Sequence, residues 1–288
     1  MSQVSAIITT VNRKSVIKAI DSALKQEDIT MEVIVVVDGG NPELIKMIKK
    51  SFGLNIKLIS DEVKHGGNWA RNIGISTAKS KYIALLDDDD YWDTTKCRKQ
   101  LELIEQNGTD NVVVFNSLKT FGGVSQKIYP KISYRPGIPV ADYLFDRKYK
   151  GMIQTSTLFA SKNTFISQPF DEKLPKHQDW DWVIRAYEKG IKFIQITTPL
   201  TYYRINQDNS VSKSMNWKYS YYWIQSKRNN MSLRAYHSFI VGLIFTYISC
   251  SDATFWGKKK IMIRLYIDNK ISIFSKIGQI GILKIILK

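Results

Sequence analysis

Apolar and polar residues alternate in blocks over the first ninety positions. Short apolar runs at Val4–Thr9, Met31–Val37, Ile56–Ser60 and Tyr82–Leu86 are each followed by a polar cluster. Runs this short and rich in β-branched residues predict buried strands rather than core helices. Between the first two, Ser15–Lys25 sets Val16, Ala19, Ile20, Ala23 and Leu24 on one helical face. Asn41 followed by Pro42 predicts a capped helix running to about Phe52, and Asn68 opens another through Ala78. Strand and helix in strict alternation predict an α/β fold: a mostly parallel, Rossmann-like central sheet with right-handed crossovers, flanked by helices. Further on, the pattern predicts a helix over Trp92–Glu105, strands at Asn111–Asn116 and Gln154–Ala160, and loops around Gly122-Gly123, Pro130, Pro136 and Pro139. A helix over Asp179–Lys189, stopped by Gly190, and short strands at Ile191–Ile196 and Thr201–Tyr203 complete this part.

The polar clusters that close the strands carry the candidate chemistry. The first strand hands over to Thr10-Val11-Asn12-Arg13, the second to Asp38-Gly39-Gly40, and the Tyr82 strand to Asp87-Asp88-Asp89-Asp90. In an open α/β sheet all three lie at the carboxyl edge, which is where ligands bind. Four adjacent carboxylates at the end of a buried strand call for a cation, and hard ions such as Mn²⁺ or Mg²⁺ take oxygen ligands. The alternative is an acidic cap for the helix expected from Trp92, with Asp90 near its N-terminus.

Composition narrows the setting. The chain has 288 residues, 44% hydrophobic, with two cysteines far apart, Cys97 and Cys250. That suits one large domain with an appendage, and it predicts neither a disulfide framework nor a zinc site. The first residues lack the charged and apolar regions of a secretory signal, so a cytoplasmic setting is expected. Of the formal +16, a net +11 lies in residues 211–288, which hold ten Lys, three Arg, two Asp and no Glu. A basic tail predicts an anionic partner. Its Ile-rich composition, with no stacking groove of Arg and aromatics, favours a membrane surface over nucleic acid. Ser238–Cys250 is apolar over thirteen residues, short of the roughly 20 needed to span a bilayer. Ile267, Ile271, Phe274, Ile277 and Ile280 recur at helical spacing with Lys270 and Lys276 among them, which predicts an amphipathic helix lying in the interface. The alternative is a helical cap on the preceding domain.

Five motifs in order resemble family 2 glycosyltransferases of the GT-A fold, over roughly Val4 to Ser212. They are Thr10-Val11-Asn12-Arg13, Asp38-Gly39, His65-Gly66-Gly67-Asn68-Trp69-Ala70-Arg71-Asn72-Ile73-Gly74, Leu86-Asp87-Asp88-Asp89-Asp90, and Phe170-Asp171-Glu172-Lys173-Leu174 followed by Gln178-Asp179-Trp180-Asp181. A late Tyr203-Arg204-Ile205-Asn206 resembles a further element. Val11 stands where the family has an aromatic, Gly39 where a second acid is usual, Gln178 where Glu is commoner, and Asn206 where a His sometimes stands.

The resemblance implies a metal-dependent, inverting transfer of a sugar from a nucleotide-sugar to a hydroxyl of a glycan acceptor, in cell-surface polysaccharide synthesis. It implies Asp179 as general base and Asp89, with Asp87, as ligands of Mn²⁺ or Mg²⁺. It places Thr10, Asn12, Arg13, Asp38, Arg71, Asp87 and Asp88 around the nucleotide-sugar, with Asp38 reading the base, Asp87 either on the metal or on the ribose hydroxyls, and Asp88 a second candidate for the ribose. Trp180 and Trp182 are candidates to stack on the acceptor, and His177 is expected at the surface. The expected organisation is a glycosyltransferase domain over 1–212, with a nucleotide-sugar half (1–116) and an acceptor half (117–212), then a basic helical region over 213–288. The partners implied are the donor, a glycan acceptor that is plausibly lipid-linked, and the inner face of the cell membrane. Two rivals stay open: a non-catalytic binding or scaffold protein on the same fold, and a nucleotidyltransferase. The latter would need a Gly-rich basic loop after the first strand, which Thr10–Arg13 does not supply.

Overall fold

The computed structural model describes residues 2–205 and 215–287, so the expectation for Asn206 lies outside the described residues. The chain divides into two compact units, Met1–Gly137 with Met152–Gln207, and Ile138–Gly151 with Asp208–Lys288.

The first unit is an α/β sheet. Its opening run is β1 (Val4–Thr10), α1 (Val16–Leu24), β2 (Met31–Asp38), α2 (Pro42–Phe52), β3 (Lys57–Asp61), α3 (Gly67–Thr77) and β4 (Tyr82–Asp87). These strands lie side by side as β3-β2-β1-β4, all parallel. Val4 to Ile8, Val33 to Val37 and Ile83 to Leu86 are all buried, as expected of strands covered on both faces. Asn41 caps α2 by accepting from the backbone N–H of Glu43 and Leu44, with Pro42 at the first helical position.

The second half of the sheet is mixed. It comprises β5 (Tyr91–Trp92), α4 (Lys96–Asn107), β6 (Val112–Phe121), β7 (Ile128–Tyr129), β8 (Phe159–Ser161), α6 (Lys162–Ser167), α7 (Gln178–Glu188) and β9 (Lys192–Arg204). The order continues β4-β8-β6-β9-β5, with β8 antiparallel to both its neighbours. The two strands expected near the end of this unit are one strand, β9, whose pairing with β6 slips around Ser117. The stretch expected as a strand from Gln154 begins as a tight turn over Thr155–Thr157 and becomes strand only at Phe159. Tyr91 and Trp92 pair with β9, so the helix expected from Trp92 starts at Lys96 and Asp90 is not its cap.

The second unit is helical: α5 (Val140–Phe145), α8 (Trp217–Ser226), α9 (Leu233–Phe239), a π-turn at Ile240–Ile244, α10 (Phe245–Ser249), α11 (Phe255–Asp268) and α12 (Lys276–Leu287). α5 falls in the stretch expected within the 117–212 half, with loops marked by Pro136 and Pro139. It joins the helices because Phe145 packs edge-on to Trp223 and Phe239, and Asp146 pairs with Arg234 at 3.0 Å. The apolar stretch from Ser238 forms the core of this unit, with Ile240, Val241, Ile244, Phe245 and Ile248 buried. The single amphipathic helix expected over Ile267–Ile280 is two helices with a break between Asn269 and Ser275. Ile271 and Ile277 turn inward, while Ile267 and Phe274 stay exposed. No helix of the described residues is long and apolar enough to cross a membrane.

Gly74 shows how tightly the sheet unit is built. A Cβ placed there would lie 2.4 Å from Cγ2 of Ile7, because α3 packs directly on β1. Gly74→Val is expected to lower stability by roughly 1–3 kcal/mol through overpacking, read as the shift in a urea unfolding midpoint at unchanged slope.

Candidate active site

The register of the parallel strands places the polar clusters together. Thr10 at the end of β1 is level with Val37 of β2, Thr9 is level with Asp87 of β4, and Asp38 of β2 with Asp61 of β3. Asp38 and Asp87 therefore share one sheet edge, two strands apart and two residues out of level.

The acidic loop after β4 is held residue by residue. Asp87 accepts from Arg71 Nη2 at 2.8 Å and from Gln154 Nε2 at 3.1 Å. Asp88 is buried and accepts from Thr10 Oγ1 at 2.5 Å and Arg13 Nη1 at 2.8 Å. Asp90 is buried and accepts from Ser156 Oγ at 2.6 Å and from the backbone N–H of Arg204 at 2.9 Å. Among the described residues, Asp89 meets one side chain: the Arg13 Nη1 that also donates to Asp88, here at 3.3 Å. Burial pushes the Asp89 carboxyl up to about 6, and the charges of Asp87 and Asp88 add to this against the opposing pull of Arg13. The Asp90 carboxyl lies well above the ordinary range, first from burial and then from Asp89 and Asp87.

Arg71 ties this loop to a second acidic position. From its buried place on α3, the guanidinium reaches Asp87, Asn68 Oδ1 at 3.2 Å and Gln178 Oε1 at 2.9 Å. Gln178 is the first residue of α7 and Asp179 the second. The Asp179 carboxyl is half-buried and pushed up to about 6 by loss of solvent, with Asp87 also raising it; the N–H of Trp180 and the charge of Arg71 oppose the shift. The Tyr203 phenol is raised by burial and then by Asp90, Asp179, Asp87 and Asp89, so its oxygen sits within reach of all four fields.

Several expected site residues have other work. Asp38 is 1% exposed and accepts from the backbone N–H of His65 at 2.7 Å and Gly66 at 2.8 Å. Its carboxylate thus fastens the turn that leads into α3. Asn12 accepts from Asn41 Nδ2 at the start of α2. Trp182 offers no face to an acceptor. It is 0% exposed, stacked on Phe165 and Phe170, with Nε1 donating to the carbonyl of Gln168. Trp180 is half-buried and stacks on His177 at 4.9 Å. His177 is not at the surface: it is buried in a left-handed conformation just before α7, and burial pushes its imidazole down to about 3. Gln154, Ser156 and Tyr203 were not expected at the site. Tyr203 lay within the quoted Tyr-Arg element, whereas nothing local marks Gln154 and Ser156, whose turn reads as strand.

Among the described residues, no group of three or more His, Cys, Asp or Glu side chains is arranged to hold a metal ion. Asp89 and Asp87 nonetheless offer hard oxygen donors where negative charge is crowded. A divalent ion bound through one or two carboxylates and the phosphates of a ligand needs no third acid. The residues present therefore fit such an ion.

A sheet of this topology with its acidic loop at the carboxyl edge has the GT-A architecture of nucleotide-sugar enzymes. The chain belongs to glycosyltransferase family 2, whose model, "Glycosyl transferase family 2", matches residues 5–166. It is 30% identical over 235 residues to the amylovoran biosynthesis glycosyltransferase AmsB of Erwinia amylovora, covering 78% of this chain and 77% of that one. It is 31% identical over 209 residues to the UDP-Glc:alpha-D-GlcNAc-diphosphoundecaprenol beta-1,3-glucosyltransferase WfaP of Escherichia coli, covering 72% and 78%. The structure of S. aureus TarS 1–349 in complex with UDP-GlcNAc superposes with a TM-score of 0.61 at 18% identity, over 95% of this chain and 74% of that one, which supports the fold. The protein is thus a family 2 glycosyltransferase of the polysaccharide-biosynthesis type, which sets nucleotidyl transfer aside.

Arg71 is the joint between the acidic loop and α7. Arg71→Met would leave Asp87 and Gln178 without it, and stability is expected to fall by about 3 kcal/mol, measured by urea unfolding at pH 7.5.

Proposed function

We propose that this enzyme transfers one sugar, with inversion, from a nucleotide-sugar to a hydroxyl of a lipid-linked glycan at the inner face of the cell membrane. The observation that carries the reading is Asp179. It is a carboxyl at the start of α7, linked through Gln178 and Arg71 to the acidic loop. The diphosphoundecaprenol named for WfaP and the UDP-GlcNAc named for the TarS complex support the acceptor and donor classes. The basic second unit, with no described helix fit to cross a membrane, supports a peripheral attachment.

Asp179 accepts the proton of the acceptor hydroxyl as that oxygen forms its bond to the anomeric carbon. The bond from that carbon to the diphosphate breaks on the opposite side, and the nucleoside diphosphate leaves with the electron pair. Half-burial raises the basicity of Asp179, and its place at a helix N-terminus keeps the charged form accessible near neutral pH. Arg13 and Arg71 offset negative charge where the diphosphate would lie, while Thr10 and Asp88 hold Arg13 in place. Asp89, the least engaged of the four acids, would hold Mn²⁺ or Mg²⁺, with Asp87 beside it. When bound, the ion supplies Lewis-acid stabilisation of the departing diphosphate. Asp38 acts through the turn at His65-Gly66, which it fixes next to the donor edge. Trp180 is the remaining candidate for an acceptor face.

The decisive experiment is release of free nucleoside diphosphate from a panel of sugar nucleotides. A binding or scaffold protein would release none. Asp179→Asn should abolish transfer while still binding donor. In the wild type, kcat/KM should rise with pH along a limb centred near 6, because the base works only when deprotonated. The folded-state pKa lies above the unfolded one, so the ionised carboxyl costs stability at pH above 6 and the cost vanishes below the unfolded value. Asp179→Asn should therefore raise stability at pH 8 by on the order of 1 kcal/mol, a Tm gain of about 2–4 °C. Chelation by EDTA should abolish transfer and Mn²⁺ restore it, with Asp89→Ala needing far more Mn²⁺ or staying inactive.

A further inference from the structure

The helical unit holds a half-open cavity of about 780 Å³, lined by none of the acids at the sheet edge. Six cations line it: Arg147, Lys148, Lys150, Arg234, Lys270 and Lys276. Only Arg234 has a carboxylate partner, Asp146; among the described residues the other five form no ion pair. The floor is apolar, from Leu233, Ile277 and Ile280, and Ser272 and Ser275 add hydroxyls to the wall.

Two of the lysines sit where a lysine is costly. Lys150 and Lys270 both have φ of 50°, in the left-handed region. Lys270 follows α11, where Lys270 N–H reaches the carbonyl of Ile267 and Ile271 N–H that of Tyr266. That pairing ends many helices, and glycine is the usual residue at its left-handed position. Glycine escapes the steric clash that a Cβ meets in this region, yet lysines stand at both positions and line the cavity. The loop that carries Lys270, Ser272 and Ser275 also presents Ile273 and Phe274 to solvent, Phe274 at 87% exposure.

We propose that this cavity binds the diphosphate head of a lipid, with the cations on the phosphates and the apolar floor against the first carbons of the chain. A phosphodiester headgroup carries one charge and would leave most of the cations uncompensated. A diphosphate carries two or three and can engage several at once. Ile273 and Phe274 are then the residues that enter the membrane interface beside the headgroup. The inference deepens the proposed function and rests on it for the idea of a lipid-linked acceptor.

The test is titration of the full-length protein with farnesyl diphosphate, and separately with inorganic pyrophosphate. Farnesyl diphosphate should bind at least about tenfold tighter than pyrophosphate, because only it covers the apolar floor. Lys148→Glu/Lys276→Glu should weaken it at least about tenfold, whereas Lys46→Glu/Lys50→Glu, an equal charge change on α2, should not. Both lysine pairs are exposed, and unchanged melting would confirm folding; Lys148→Gln/Lys276→Gln is the milder variant. Equal affinity for pyrophosphate would overturn the lipid assignment, and equal weakening by both charge reversals would overturn the pocket. Displacement of the probe by a nucleoside diphosphate would put it in the sheet unit, overturning this site while leaving the proposed transfer intact. Sugar transfer failing while the probe still binds in the pocket would sink only the preceding proposal.

Discussion

Everything at the edge of the sheet follows from the need to hold four consecutive carboxylates at the end of one buried strand. Two such charges 6 Å apart repel by about 3 kcal/mol at an effective dielectric of 20. A hydrogen bond to a charged group returns about 1.5–3 kcal/mol, so each acid needs about two. Asp87 has Arg71 and Gln154, Asp88 has Thr10 and Arg13, and Asp90 has Ser156 and the Arg204 N–H. Asp89 has one long contact. The imbalance falls on Asp89, the acid to which the proposed metal is assigned.

Those partners come from far along the chain, and this is what joins the two halves of the sheet unit. Thr10 and Arg13 follow β1, Arg71 lies on α3, Gln154 and Ser156 precede β8, and Arg204 ends β9. The loop is a hub whose spokes reach four elements. Arg71 carries the arrangement to α7 through Gln178. A Gln there suits that role: a neutral acceptor can share the guanidinium with Asp87 without adding a further negative charge beside Asp179.

The helical unit works by different means. Its core is the apolar stretch that runs through α9 and α10, and its charge is left on the rim of a cavity. A basic tail read only as a sum of charges says that the partner is anionic. Five cations without an ion pair among the described residues, gathered around an apolar floor, say more, because such a cavity would select a compact, multiply charged head joined to a chain over a diffuse anionic surface.

The order of strands and helices through β4, the capped start of α2 and the convergence of polar clusters on one edge were legible in the sequence, since burial on both faces and parallel crossovers constrain them locally. Family membership was legible for the same reason, because its motifs sit at the ends of those strands. What each side chain does there was not. Asp38 fastens a turn, Trp182 fills a stack, His177 is buried and Asp90 anchors β9. Each outcome depends on a partner about thirty or more residues away, or on packing from both sides, which no local pattern encodes. The same holds for the tail: five apolar residues at helical spacing suggested one helix, and only the turn at Lys270, set by how α11 meets α12, decided which of them face inward.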